Sequence, residues 1–208
     1  MILWTATVAS GTVEAYSHYL SHSKKLSYLS QAHKKIDELA WERARFLGTG
    51  AEYKNYLKTS STKEHALDAY IALEGLYYNA AISNNSVKSF NSYLTKSNNL
   101  KTEANLYAST HKKLSDPKYI EYLNKVAADQ AKVNGMMVSL ENDIWTSSQN
   151  QGTVAAYEVY LTHFPKGKYV TQCKARIDEI KANNQYDADA NLVCDVCNAT
   201  LTPAGPTQ

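Results

Sequence analysis

Apolar and polar residues follow one order along this chain, and the order recurs. An opening aromatic residue is followed seven positions later by Gly or Asn and then by Thr or Ser. A second ring comes twelve positions after the first, and a Tyr-Leu pair at fifteen and sixteen. Trp4, Trp41 and Tyr78 open three copies, and Trp145 opens another. The Gly/Asn position holds Gly11, Gly48, Asn85 and Gly152, followed by Thr12, Thr49, Ser86 and Thr153. The second ring is Tyr16, Tyr53, Phe90 and Tyr157, and the pairs are Tyr19-Leu20, Tyr56-Leu57, Tyr93-Leu94 and Tyr160-Leu161. Further on come Ala32, Ala69, Leu106 and Cys173, then Ile36, Leu73, Thr110 and Ile177. A degenerate copy starting near residue 108 keeps the core as Tyr119, Tyr122 and Leu123, with Ser115-Asp116-Pro117 in place of Gly-Thr.

Each position has a physical reading. Gly or Asn tolerates the left-handed conformation that ends a helix. The Thr or Ser after it accepts a hydrogen bond from a free amide of the next helix. Aromatic, Tyr and Leu at i, i+3 and i+4 form one apolar stripe on a short helix A. A Ser- or Lys-rich joint such as Ser60-Ser61-Thr62-Lys63 follows. A longer helix B then runs through the next opening aromatic to small residues such as Ala44 and Ala81. One such pair cannot bury its own face, whereas stacked pairs can. The expected fold is an all-α solenoid of about five helix-turn-helix repeats in a right-handed superhelix. It occupies residues 1–182, with copies starting near 4, 41, 78, 108 and 145, and residues 183–208 form an irregular tail.

Composition agrees with this reading. Four prolines and eight glycines among 208 residues are few for an all-β fold. Sixteen tyrosines against three phenylalanines favour half-buried positions and adhesive surfaces, since tyrosine joins apolar area to a polar tip. Charged residues make up 20% and the net charge is +2, a balance that does not point to nucleic acid. No apolar run is long enough to span a membrane. A surface rich in Ser, Thr and Asn favours an extracytoplasmic setting, periplasmic or extracellular.

The last copy reads Tyr157-Glu158-Val159-Tyr160-Leu161-Thr162-His163-Phe164-Pro165-Lys166-Gly167-Lys168-Tyr169. It resembles the Y-x-x-Y-L-x-x-F-P-x-G-x-Y signature of bacterial tetratricopeptide-like (TPR-like) repeats, which occur in periplasmic and outer-membrane-associated scaffolds. The resemblance implies protein–protein interaction without catalysis and without a cofactor. Only this copy has the Phe-Pro-x-Gly turn, and the 37-residue spacing exceeds the family's usual 34.

Candidate chemistry is sparse. His18 and His22 stand four apart on one helix face, as metal ligands can. His22 nevertheless shares its register with Thr59, Lys96 and His163, which read as solvated surface, so no metal site is assigned. Cys194 and Cys197 form a single C-x-x-C, a possible disulfide or half of a metal site. Cys173 falls at a small core position. Asp37-Glu38 and Asp178-Glu179 recur at one register of helix B, and periodicity explains them. Lys24-Lys25, Lys34-Lys35 and Lys112-Lys113 read as solvated helix faces. Asn84-Asn85-Ser86 and Asn198-Ala199-Thr200 match the glycosylation sequon, although Asn85-Ser86 has its own capping role. No catalytic motif is present.

The expectation is therefore a non-enzymatic scaffold that binds a peptide segment of another protein or copies of itself. The expected binding face is the outward side of helix A: Glu14, Ser17, Lys54, Asn55, Lys58, Asn91, Thr95, Glu158 and Thr162. The expected core is Trp4, Trp41 and Trp145 with Tyr19, Leu20, Tyr56, Leu57, Tyr93, Leu94, Tyr160 and Leu161. Two alternatives stand beside it. One is a self-assembling subunit of an extracellular filament or surface layer, prompted by a first copy that opens without a preceding helix B. The other is an accessory repeat domain of a larger multidomain enzyme.

Overall fold

The computed structural model describes residues 4–23 and 26–185. Among these residues the chain is helical throughout and has no strand. The helices are α1 (Trp4–Ser10), α2 (Val13–His22), α3 (Leu29–Leu47), α4 (Gly50–Thr59), α5 (Ala66–Asn84), α6 (Val87–His111), α7 (Pro117–Gln151), α8 (Val154–His163) and α9 (Val170–Gln185), with a 3-10 turn at Leu26–Tyr28 before α3. No described helix is long and apolar enough to cross a membrane. The chain divides into two compact units, Met1–Ala131 and Lys132–Gln208, at a boundary inside α7.

The stop-and-start signal is formed at all four sites. Gly11, Gly48, Asn85 and Gly152 have φ of 64°, 62°, 39° and 62°. Their amides donate to Thr7, Ala44, Ala81 and Ser148 carbonyls at 2.9–3.1 Å. The next hydroxyls then accept the amides of Ala15, Glu52, Ser89 and Ala156, three residues on, at 3.2–3.3 Å. Ser86 and Ser89 bond reciprocally and close a capping box. Ala44 and Ala81 are buried just before their turns, where a larger side chain would hold the next helix away.

The helix A tyrosines Tyr19, Tyr56, Tyr93 and Tyr160 are all buried. The opening rings lie over them at 5.1–6.0 Å between centroids, as Trp4–Tyr19, Trp41–Tyr56, Tyr78–Tyr93 and Trp145–Tyr160. A further ring, 24 residues after the opening one, stacks on it almost parallel. These pairs are Trp4–Tyr28, Trp41–His65 and Trp145–Tyr169, at 4.9, 5.2 and 4.8 Å. The leucines that follow the tyrosines, and Trp4 and Trp41, are only half-buried.

A carboxylate accepts the phenol of three of these tyrosines, Tyr56, Tyr93 and Tyr160. Asp37 accepts Tyr56 at 3.0 and 3.1 Å and also accepts the Ser60 hydroxyl. Glu74 accepts Tyr93 at 2.6 Å and Ser97 at 2.8 Å. Glu141 accepts Tyr160 at 2.6 Å and the Lys168 amide at 2.6 Å. Two of these phenols accept in turn from the backbone nine residues on, His65 to Tyr56 and Tyr169 to Tyr160, each at 2.9 Å. An acid that loses water on burial needs such donors. Asp37 is thus an interior hydrogen-bond acceptor, while its neighbour Glu38 faces Lys35 on the surface.

Two expectations are corrected. The third copy has no joint, because helix A runs straight into helix B as the 25-residue α6. Tyr93, Ser97, Leu100, Ala104 and Tyr107 are buried along it at helical spacing, so the apolar face continues where other copies turn. With no turn residues inserted, the register slips. Leu106 and Thr110, at the register of Ala32 and Ile36, are exposed, and Ala104 and Ala108 are buried in their stead. The degenerate copy is also one helix, the 35-residue α7, which begins at Pro117 and carries buried Tyr119, Tyr122, Val126 and Val133 on one face. Tyr107 packs with Tyr119 and Tyr122 in the core and holds the opening position twelve residues ahead of Tyr119.

A lysine-rimmed groove as candidate functional site

Within the first unit, α4, α5 and α6 enclose a groove of about 820 Å³. Its floor comes from Leu57 of α4, Tyr70, Leu73 and Tyr77 of α5, and Leu100 and Tyr107 of α6. Its rim carries Lys54 and Lys58 from α4, Lys63 from the α4–α5 turn and Lys96 from α6. Glu103 and His111 also line it. The fused α6 creates this surface: a joint after Lys96 would carry Leu100, Glu103 and Tyr107 away from α5.

Tyr77 sits between two of the ammonium groups. Lys54 Nζ lies 5.6 Å and Lys96 Nζ 5.5 Å from its ring centre, within cation–π range. The ring orients both lysines without neutralising them. None of the four rim lysines forms an ion pair among the described residues. Lysines of the neighbouring smaller cavity do: Lys112 meets Glu64 at 3.6 Å, and Lys118 bonds Asp68.

Lys63 is held in the left-handed region, with φ 52°. That costs a β-carbon-bearing residue about 1–2 kcal/mol. Three hydrogen bonds fix it: its amide donates to Ser60 Oγ at 3.1 Å, and its carbonyl accepts the Tyr107 hydroxyl at 2.6 Å and the Ala66 amide at 3.1 Å. Ser60 is the residue that also donates to Asp37, so the recurring buried acid supports the groove's turn. Burial pushes the Tyr70 and Tyr107 hydroxyls up to about 12, which keeps both protonated donors at neutral pH.

All nine residues expected on the binding face are exposed: Glu14, Ser17, Lys54, Asn55, Lys58, Asn91, Thr95, Glu158 and Thr162. The groove brings together only Lys54 and Lys58. Thr95 and Thr162 spend their hydroxyls on the Asn91 and Glu158 carbonyls of their own helices. Glu158 and Thr162 belong to the second unit. Lys63 and Lys96 were missed. Lys96 shares its register with His22 and looks like surface, and Lys63 lies in a joint; nothing local marks either as facing a neighbouring helix.

His18 and His22 stack at 4.2 Å on the exposed face of α2, and His22 Nδ1 lies 3.1 Å from the His18 carbonyl. No group of three or more metal-ligating side chains exists among the described residues. Cys173 is buried, lies 3.1 Å from the Tyr157 carbonyl as a donor, and has its thiol pKa raised by burial, so it behaves as a packing residue. Lys24, Lys25, Cys194, Cys197 and the sequon at Asn198 lie outside the described residues. Comparison with family models, curated proteins and solved structures finds no match to this chain.

Proposed function

We propose that this protein is a non-enzymatic binding scaffold built from TPR-like helix pairs, and that the groove between α4, α5 and α6 receives a segment of a protein. The observation that carries the reading is a rim of four lysines that form no ion pair among the described residues, set over an aliphatic and aromatic floor. An apolar floor supplies affinity through burial, and unpaired ammonium groups select anionic side chains and orient them. The TPR-like reading draws support from the recurrence of one hydrogen-bonded constellation, acid to tyrosine nineteen residues on, at Asp37, Glu74 and Glu141.

A fluorescently labelled peptide alternating glutamate and leucine tests the reading, with the glutamine counterpart as control. The full chain is expected to bind the acidic peptide and not the control, and Lys54→Glu with Lys96→Glu is expected to abolish binding at unchanged melting temperature. Equal binding of both peptides, or a fall in melting temperature that accounts for the loss, would overturn it.

A further inference from the structure

The groove asks for a ligand that combines carboxylates with aliphatic side chains, and this chain contains one. Residues 186–208 include Asp187, Asp189 and Asp195 and no lysine or arginine. Removing three aspartates from a chain of net charge +2 leaves +5 on residues 1–185. Apolar residues flank the last acid: Leu192 and Val193 before Asp195, and Val196 after it. The segment is thus opposite in charge to the rest of the chain and to the groove lysines.

We propose that residues 186–208 of one copy dock in the lysine-rimmed groove of another. The aspartates pair with Lys54, Lys58, Lys63 and Lys96, and an aliphatic side chain from the Leu192–Val196 stretch covers the half-buried floor at Leu57 and Tyr77. The inference rests on the groove being a protein-binding surface. Charge-assisted pairs over an apolar floor are strong where water is excluded. Length permits the contact: Asp195 stands ten residues past Gln185, roughly 35 Å of extended chain. The groove suits this occupant better than a nucleic acid, because Glu103 would face the phosphates.

The test uses the full chain, mixing normal and heavy-isotope-labelled copies and treating them with a carbodiimide. That reagent is the named dehydrating co-reactant. It activates a carboxylate, a lysine amine in contact attacks the carbonyl carbon, and an amide forms as the elements of water leave with the reagent as its urea. Mass spectrometry then identifies each joined pair. Mixed-isotope links from Asp187, Asp189 or Asp195 to the groove lysines are expected. By sedimentation, replacing these aspartates with asparagine is expected to weaken self-association by about tenfold or more, and added salt is expected to weaken it as well.

Links confined to other lysines, links only within one copy, or no links at all would overturn the proposal. Binding of the glutamate–leucine peptide separates the two readings. If that peptide still binds and the aspartates do not couple, only the self-docking falls. If neither engages the groove, both fall.

Discussion

The phenol of Tyr93 donates to Glu74 at 2.6 Å inside a site closed to solvent, with Ser97 donating to the same oxygen at 2.8 Å. A buried carboxylate deprived of one donor keeps its desolvation cost and loses its compensation. Tyr93→Phe is therefore expected to destabilise the fold by about 1–3 kcal/mol, measured by urea unfolding. Tyr122→Phe makes the opposite case. That hydroxyl is buried with no hydrogen-bond partner among the described residues, so its removal is expected to be neutral or stabilising. The same atom deleted from two buried tyrosines of one unit should be destabilising at Tyr93 alone.

The turn after α3 depends on Gly48 at φ 62°. A β-branched side chain there is strained, and Gly48→Val is expected to cost about 1–2 kcal/mol or more. Gly48→Asn should cost clearly less, since Asn85 already holds the matching position at φ 39°. Thermal melting of the two variants side by side checks the order.

Gly167 is constrained by proximity. A β-carbon on it would run into Glu141 Oε1, the Tyr160 hydroxyl and Phe164 Cβ. Gly167→Ala should break the acid–phenol bond of the second unit and cost about 1–3 kcal/mol by overpacking. The result is read as a fall in unfolding midpoint, together with a change in the near-ultraviolet signal of Trp145, which stacks on Tyr169.

Core position governs the leucines. Leu73 is 1% exposed, and Leu73→Ala is expected to cost about 2–5 kcal/mol. Leu57 is half-buried at the groove, so Leu57→Ala should cost less and should weaken peptide binding as well. Equal losses in denaturant unfolding would mean that the groove floor is closed in solution.

Alkaline pH should unfold the chain through its tyrosines. Burial raises the Tyr70 and Tyr107 hydroxyls to about 12 in the fold, against about 10 in an unfolded chain. The folded state holds these protons more tightly, so their contribution is complete below about pH 10 and disappears as pH rises through about 12. Phenolate absorbance and helicity should therefore change together in that window. Ionisation of all tyrosines near pH 10 with helicity intact would contradict the burial described.

Sequence reading located the caps and the aromatic-Tyr-Leu stripe because both are local. A helix stop is decided by one residue's φ, and a stripe by spacing within two turns. The buried acids escaped it, since Asp37 beside Glu38 looks like any solvated pair until a tyrosine nineteen residues later is seen to reach one and not the other. The fused α6 escaped it for a related reason. Ser97 resembles Ser60, and only the buried face running on through Leu100, Ala104 and Tyr107 shows that the helix continues. The groove was half legible, because Lys54 and Lys58 share a helix face, whereas Lys63 and Lys96 come from elsewhere in the chain.

Asp37, Glu74 and Glu141 each bond a tyrosine nineteen residues on, and the first two a serine at twenty-three, which makes the stretch between the first two acids an interchangeable cassette. Excising residues 41–77 would place Tyr93 nineteen positions and Ser97 twenty-three positions after Asp37, the intervals Tyr56 and Ser60 hold today. The join would exchange one carboxylate for another of the same charge and keep an acceptor for the Tyr93 phenol, although Tyr107 would lose the Lys63 carbonyl. A deletion of this length therefore keeps the acid–phenol pairing, and a cut out of register would orphan an acid in the interior.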